Sequence, residues 1–537
     1  EKDNPYYLDI LAAREAGYIS GYEDNTFKPE GTLTRAEVAT IISRILKLEI
    51  PEGDMYISNF ADYASIQDWS KPYIGSVVRK GYLKGYEDNT VKSNKEMTKA
   101  EALTLLNNVT GTVLNKAGSY SLGEFKGNIT INTSDVVLKD TILKGDIILA
   151  SGIGEGDSTL DGVKLNGTLF VNGGGENSIH LKDSDIYGVN VSKKNGRVRV
   201  VAEGETKVLN AKANSGAKFQ SEKSSFKSIE VKGTKSQKVV LEGNFDAVKS
   251  EGAKLELVGK TQVKAIEAVG GKNEISLAKD SVLGELKAKS DVSLDAKGKV
   301  EKLEASKENQ KLDIKGNVSE LKIDKKANVS LVGSKVGKVS IGAKSEGTNL
   351  VADKASNIAD VEVSAEASLS GQGKIEKATV NSEGVKIAQK VETVKKGAGV
   401  VSMEVGGKEV TKSVTKPTKK PSTSGSSSSK KSSGGGGGSS HKKDRDKDKK
   451  PTPPKPTPKA VYKAELSDTF NGVSMITKDL TVTKDGKLLE GGYVVKNNDG
   501  TVIGKDTDGD GITRVPNALH DGSLKIEMND GRIIEIK

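Results

Sequence analysis

The sequence predicts three folded parts of different class: a pair of α-helical repeats, a right-handed parallel β-helix-like solenoid, and a small all-β carboxyl-terminal domain. A set of motifs occurs twice, 64 residues apart, and an apolar pattern then restarts about every 18 residues. Aromatic residues make up only 4% of the chain, which favours an interior of small aliphatic side chains. The expected bounds are 1–110 for the helical repeats, 111–411 for the solenoid, 412–459 for a linker and 460–537 for the last domain.

Composition excludes several kinds of chemistry. The 537 residues include no cysteine, which rules out disulfides, zinc–thiolate sites, iron–sulfur clusters and cysteine nucleophiles. There are three histidines, His180, His441 and His520, so a three-histidine metal site would need all of them. No run of 18 apolar residues occurs, and we expect no membrane-spanning helix.

The positive charge is concentrated in one segment. The net charge is +10, and residues 412–459 alone hold 14 basic and 3 acidic side chains. This segment is rich in Gly, Ser, Lys and Pro, so it cannot bury a core, and we expect a disordered basic linker. It lacks the aromatic side chains on which bases stack. An anionic cell-wall polymer is therefore a simpler partner than nucleic acid.

The amino-terminal repeats are exact in several places. Residues Gly17–Thr26 (GYISGYEDNT) recur as Gly81–Thr90 (GYLKGYEDNT), and the Thr-Arg-Ala-Glu of residues 34–37 recurs as Thr-Lys-Ala-Glu at 98–101. Because each motif returns after the same 64 residues, the two copies predict two structural units of one design.

Each unit reads as helix, Gly-rich loop, helix. Apolar spacing predicts the first helices over 7–16 and 70–80, each ended by a glycine. The second helix of each unit is expected to begin after Thr34 or Thr98. A glutamate follows each threonine by three residues and completes a capping box.

The two units resemble the S-layer homology (SLH) domain. The matching features are Phe60-Ala61-Asp62, Trp69, the Gly-Tyr-x-x-Gly-Tyr-x-Asp loop, Phe27-Lys28-Pro29 and the Thr-Arg-Ala-Glu motif. The first unit lacks the Phe-x-Asp lead-in and has Pro5 where the second has Trp69. The family usually carries three units, so we expect that one has been lost upstream.

This resemblance implies a ligand and a location. SLH domains bind pyruvylated secondary cell-wall polysaccharide, so the resemblance implies an extracellular protein of the cell wall or S-layer of a Gram-positive-type bacterium. A helix amino terminus offers free N–H groups to a carboxylate, Arg35 can hold one bidentately and Lys99 supplies a point charge. The candidate polymer contacts are Arg35, Lys99, Asp62 and Trp69. Purely structural roles remain open, with Trp69 in the core.

The middle of the chain carries the second repeat. An apolar pattern Φ-x-x-Φ-x-Φ restarts at spacings of 16 to 22 residues and is followed each time by a second short alternating strand. This is typical of a parallel β-solenoid, roughly 75 Å long at about 4.8 Å per turn. An antiparallel array of hairpins is the alternative. The restarts are at Phe226, Phe245, Val263, Leu283, Val300, Val318, Val336, Ile358, Ile375 and Val391.

The carboxyl-terminal part predicts a small β-sandwich-like domain, because short alternating strands are separated by turn residues. Asp506, Asp508 and Asp510 match the first half of an EF-hand calcium loop. The twelfth position is Asn517 rather than the bidentate glutamate. The loop is thus a weak calcium candidate, with a solvated turn as the alternative, and no other cofactor is expected.

The most consistent interpretation is a non-catalytic cell-surface protein, either an S-layer protein or one associated with the S-layer. The SLH units would hold the wall polysaccharide, and the solenoid would be a rigid spacer or lattice body that could self-associate. Two alternatives stay open: an adhesin for external polysaccharide, and a wall-anchored polysaccharide lyase or hydrolase. Lysine and glutamate alternate along the solenoid strands, which is typical of a solvated face rather than of clustered catalytic carboxylates.

Overall fold

The computed structural model describes residues 4–22, 24–223, 225–233 and 237–414, and eight strands between residues 462 and 536. The chain divides into two units, Glu1–Lys420 and Pro421–Lys537. Among the described residues, no helix is both long enough and apolar enough to cross a bilayer.

Four α-helices form the amino-terminal part: α1 (Tyr7–Glu15), α2 (Arg35–Ile45), α3 (Lys71–Arg79) and α4 (Lys99–Thr110). The predicted capping boxes are confirmed, because Thr34 and Thr98 each accept from the backbone N–H three residues on, and the glutamate there accepts from the backbone N–H of the threonine. One-turn 3₁₀ helices occupy Tyr63–Ser65 and Ser151–Ile153.

The solenoid predicted for the middle of the chain is confirmed. It runs from residue 112 to 405 in about 15 turns, and each strand pairs in parallel with the equivalent strand one turn later. Its strands are β1 (Thr112–Leu114), β2 (Gly118–Phe125), β3 (Ile129–Ile131), β4 (Val136–Leu143), β5 (Ile147–Leu149), β6 (Ser158–Asp161), β7 (Lys164–Val171), β8 (His180–Lys182), β9 (Asp185–Val191), β10 (Arg197–Glu203), β11 (Lys207–Ala213), β12 (Gly216–Ser221), β13 (Phe226–Lys232), β14 (Lys238–Glu251), β15 (Lys254–Val269), β16 (Asn273–Leu277), β17 (Val282–Ala288), β18 (Val292–Ala305), β19 (Gln310–Ile323), β20 (Ala327–Ile341), β21 (Thr348–Ala352), β22 (Asn357–Val363), β23 (Ala367–Gly371), β24 (Lys374–Val380), β25 (Lys386–Ile387), β26 (Val391–Lys396), β27 (Met403–Val405) and β28 (Lys408–Val410).

The apolar restarts seen in the sequence set the register of this stack. Phe245 lies opposite Val263, Val263 opposite Leu283, and the same relation continues turn by turn to Ile375 and Val391. The hairpin alternative is therefore wrong for the solenoid, where the described strands pair antiparallel only at its end, between β27 and β28.

Small aliphatic side chains fill the solenoid interior, and one hydrophobic cluster runs through it from Leu114 to Met403. Three aromatic rings of this cluster lie together: Phe219 and Phe226 meet edge to face at 5.3 Å between centroids, and Phe226 stacks on Phe245 at 6.1 Å. All three rings are buried. The low aromatic content thus matches an interior too narrow for many large rings.

The second unit consists of antiparallel strands, as the sequence predicts for this all-β domain. One sheet contains β29 (Tyr462–Thr469), β30 (Thr477–Lys484), β31 (Lys487–Leu488) and β34 (Ile512–Pro516). The other contains β33 (Val502–Asp506), β32 (Tyr493–Lys496), β35 (Leu524–Met528) and β36 (Ile533–Ile536) in that spatial order. The predicted linker 412–459 lies almost wholly outside the described residues.

Candidate functional site

The Gly-Tyr loops of the two repeats have the same hydrogen bonds. Asp24 accepts from the backbone N–H of Thr26 at 2.9 Å and pairs with Lys28, whereas Asp88 accepts from Thr90 at 3.1 Å and pairs with Lys92. These contacts hold the pKa of each aspartate at about 2, through Thr26 for Asp24 and chiefly through Lys92 for Asp88. Both carboxylates therefore stay ionised and fix the loops.

Tyr86, in the second loop, lies at the centre of a cationic cluster. Its hydroxyl donates to Glu101, the glutamate of the second capping box. The ring centroid lies 4.6 Å from the Arg35 guanidinium carbon, 4.6 Å from Lys92 Nζ and 4.8 Å from Lys95 Nζ. Hydrogen bonds from Tyr86, from the Thr98 backbone and from Lys95 lower the pKa of Glu101 well below its ordinary value.

Arg35 joins the first repeat to the loop of the second. Its Nε donates to the carbonyl oxygen of Val91 and its Nη2 to that of Lys84, both at 2.8 Å. Arg35 is buried, with only 5% of its surface exposed to solvent. These bonds give Arg35 a structural role; direct contact with a polymer stays a prediction.

Asp62 holds the same segment from the other side. Its carboxylate accepts from the backbone N–H groups of Val91 at 2.8 Å and Lys92 at 2.7 Å. Arg35 and Asp62 thus both bind the loop segment at Val91 and Lys92, and both support its conformation.

Trp69 and Lys99 lie at the surface. Trp69 is 49% exposed, and its indole N–H donates to Gln67 Oε1 at 2.6 Å, so it does not fill the core. Lys99 is exposed at the start of α4. Both side chains remain accessible to a ligand.

The amino termini of α2 and α4 differ in one respect. In α2, the first two backbone N–H groups donate to the second repeat: that of Arg35 to Lys95 O at 3.0 Å and that of Ala36 to Ser93 O at 2.9 Å. At the matching positions of α4, Lys99 and Ala100, no acceptor for the backbone N–H lies within the part of the chain that the structure describes. The amino terminus of α4 can therefore accept an external anion.

Sequence reasoning missed two of the three cations around Tyr86, namely Lys92 and Lys95. Lys92 and Lys95 face the tyrosine ring together with Arg35, yet neither belongs to the motifs that repeat exactly. The signal that could have found Lys92 was its position four residues after Asp88, which matches Lys28 after Asp24. Lys95 has no counterpart in the first unit, where Gly31 occupies that position.

The remaining candidate groups show other environments. His180 contacts Glu203 Oε1 through Nδ1 at 2.9 Å and the carbonyl of Asn177 through Nε2 at 3.1 Å, which accounts for both ring nitrogens structurally. Among the described residues, no three His, Asp or Glu side chains gather as a set of metal ligands. Asp506 ends β33, but Asp508 and Asp510 lie outside the described residues, so calcium binding there stays a prediction.

Comparison with known proteins identifies the two repeats. The S-layer homology domain model matches residues 2–39 and 59–103. A cellulosome-anchoring protein of Acetivibrio thermocellus is 35% identical over 100 residues, which is 18% of this chain and 22% of that protein. A surface-layer 125 kDa protein of Lysinibacillus sphaericus is 38% identical over 89 residues, or 16% and 7% of the two chains.

The relatives also include an enzyme. An amylopullulanase of Thermoanaerobacterium thermosulfurigenes is 27% identical over 131 residues, which is 24% of this chain and 6% of that one. The aligned segments thus span less than a quarter of each of these three relatives. The match of the domain model to both copies of the motif, together with the shared geometry of the two repeats, shows that residues 2–103 carry two SLH repeats.

Proposed function

We propose that the SLH pair anchors this protein to an anionic, pyruvylated secondary cell-wall polysaccharide. The observation that carries this proposal is the amino terminus of α4, where two backbone N–H groups without a described acceptor lie beside Lys99. A carboxylate there would accept hydrogen bonds from the two backbone N–H groups. The helix dipole and the positive charge of Lys99 would also stabilise it. Lys92 and Lys95, which lie around Tyr86, would add positive charge to this anion-binding surface.

The four candidate residues would act in two ways. Lys99 and Trp69 are the exposed members, and we assign them the direct contacts, ionic for Lys99 and apolar stacking on a sugar face for Trp69. Arg35 and Asp62 bind the loop segment at Val91 and would maintain the shape of the binding surface. Arg35 is buried and donates to the carbonyl oxygens of Val91 and Lys84, so it would affect binding through the shape of the site.

The rest of the chain would have a structural role rather than a catalytic one. The solenoid's aliphatic interior and the parallel register of its turns favour a stiff spacer of about 15 turns. Its outward charges pair from turn to turn, as in Lys302 with Glu285 at 2.8 Å and Lys377 with Asp360 at 2.8 Å. We propose a non-catalytic cell-surface protein in which this rod is a spacer or a lattice body.

Co-sedimentation of the full chain with purified wall sacculi tests the anchoring site. Lys99→Glu should reduce retention severalfold, because it places a negative charge at the proposed carboxylate site, and Trp69→Ala should reduce it as well. Lys116→Glu, an exposed charge reversal on the first solenoid turn, is the matched control and should not change retention. Equal retention of the Lys99→Glu and Lys116→Glu proteins would contradict the proposed site.

A further inference from the structure

One column of outward-facing solenoid side chains changes character along its length. Eleven residues lie directly above one another on successive turns, as the parallel register shows. We call them the outer column: Thr130, Ile148, Phe170, Asn190, Lys212, Glu230, Lys249, Glu267, Lys287, Glu304 and Lys322.

The last seven residues of the outer column are charged and alternate strictly in sign from Lys212 to Lys322. All are exposed or half-exposed. Because like charges directly opposite each other destabilise a sheet and opposite charges stabilise it, this is the pattern expected of a face in water. The same register continues through Ser340, Glu362, Thr379 and Lys395, so the uncovered turns beyond Asn190 carry charged or polar side chains at this position.

The first four residues of the same column are uncharged and buried. Thr130, Ile148, Phe170 and Asn190 are between 2% and 7% exposed, although they point away from the solenoid interior. Ile148 and Phe170 belong to the hydrophobic cluster of the SLH pair, not to that of the solenoid. Thr130 Oγ1 donates to the carbonyl of Thr110 at 2.7 Å, and Asn190 Nδ2 donates to that of Lys47 at 3.2 Å.

A buried ion pair reinforces the same contact. Asp146, 4% exposed, lies next to the outer column and accepts from Lys80 Nζ and from the Tyr82 hydroxyl, both at 2.7 Å. It also accepts from the backbone N–H of Thr168 at 2.6 Å. Breaking such a pair from one side leaves an unpaired buried charge, which is costly. Lys80 and Tyr82 directly follow α3, so this site ties the second SLH repeat to the solenoid.

The end of α4 is fastened to the same turns. Asn128 Nδ2 donates to the carbonyls of Asn108 and Val109, both at 2.9 Å, and its Oδ1 accepts from the backbone N–H of Asp146 at 2.8 Å. One side chain thereby satisfies the open carbonyls of a helix end and a solenoid turn.

We infer that the anchoring unit of this protein is a composite, in which the solenoid turns between residues 128 and 191 complete the core of the SLH pair and fold cooperatively with it. The SLH repeats are then held at a fixed orientation on the rod, and force on the rod reaches them through a packed interface. The role of this interface in wall anchoring rests on the proposed function, whereas the composite fold itself does not.

Hydrogen exchange on the full chain, without polymer, tests this inference. The variant Ile148→Ser/Phe170→Ser changes only outward positions, and Glu267→Ser changes an uncovered position of the same column as a control. We expect amide exchange in α3 and α4 to accelerate at least tenfold in the double variant and to stay unchanged in the control. Exchange in turns beyond residue 230 should not change in either protein.

A second variant guards against local misfolding of the altered strands. Asp146→Asn preserves the shape of the side chain but removes the charge opposite Lys80, and it should also accelerate exchange in α3 and α4. Unchanged exchange in both helices for both variants would overturn the inference. The two proposals can fail separately. If the variants accelerate exchange in α3 and α4 but the unaltered protein does not bind walls, the composite fold is supported and only the proposed function is contradicted.

Discussion

The Arg35 Nε atom, in the first SLH repeat, donates to the Val91 carbonyl oxygen of the second repeat at 2.8 Å. The same position in the second repeat holds Lys99, which lies exposed at the start of α4. One motif position thus joins the repeats to each other in its first occurrence and is open to solvent in its second. The residue at this position is therefore structural in the first repeat and accessible to a ligand in the second.

Replacing Arg35 should destabilise the SLH pair. Arg35→Ala leaves the carbonyls of Val91 and Lys84 without their donors, and an unsatisfied buried group such as the Val91 carbonyl costs about 1–3 kcal/mol. Arg35→Lys should recover part of the loss, since one ammonium cannot reproduce both bonds. Urea unfolding followed by helical circular dichroism measures this, with the exposed Arg14→Ala as control. An Arg35→Ala protein as stable as the control would show that these bonds contribute nothing.

Acid should loosen the second repeat through Glu101. Its pKa lies below the ordinary value of 4.5 because Tyr86, the Thr98 backbone and Lys95 donate to the carboxylate. A lowered folded pKa means that the stabilisation is complete above pH 4.5 and is lost as pH falls toward the folded value. We expect α4 to unfold more readily between about pH 5 and pH 3, as measured by hydrogen exchange.

The Glu101→Gln protein provides the control for this acid effect. It should be less stable than the unaltered protein at neutral pH, and the exchange rate in α4 should depend less on pH. The same pH dependence in both proteins would assign the acid effect to other carboxylates, among them Asp24 and Asp88 of the loops.

Removing the buried Phe226 ring should lower the free energy of unfolding more than a surface substitution does. Phe226 is fully buried between Phe219 and Phe245, and Phe226→Ala should destabilise the solenoid by about 3–5 kcal/mol through lost burial and a cavity. Lys227→Ala, the neighbouring outward position, is the control. Because solenoid turns contact mainly their neighbours, hydrogen exchange should accelerate most near residues 208–263. Uniform acceleration over all turns would contradict this local response.

Reversing one charge should disturb a second alternating column. Glu285, Lys302, Glu320, Lys338, Asp360 and Lys377 stack in register with alternating sign. Lys302→Glu would place three negative charges in succession and should cost roughly 0.5–1 kcal/mol at low salt, with less effect at high salt. Thermal unfolding at both salt levels measures this, with the exposed Lys297→Glu as control. A salt-independent loss would point to packing rather than charge.

The sequence was informative where local chemistry decides the structure. Threonine and glutamate three residues apart predicted the starts of α2 and α4, and the apolar restarts predicted which solenoid residues stack. Two of the solenoid strands covered by the SLH pair also show their burial in the sequence. Ile147-Ile148-Leu149 and Leu169-Phe170-Val171 are continuous apolar runs, which is typical of strands buried on both faces.

The site could be predicted only in part. Motif matching identified Arg35 and Asp62 but could not show that both form hydrogen bonds with Val91. Those bonds join residues 56 and 29 positions apart and so depend on the tertiary fold. Trp69 was equally consistent with core and surface. Its exposure depends on which side of the second repeat the solenoid covers, and that contact has no motif.

Retention on walls with and without their polymer tests the central claim most directly. The full chain should co-sediment with purified sacculi, and chemical removal of the secondary polysaccharide should abolish most of this retention, because the peptidoglycan that remains lacks the pyruvyl carboxylates proposed to bind at α4. Equal retention on intact and stripped sacculi would contradict the account of this protein as a polysaccharide-anchored rod.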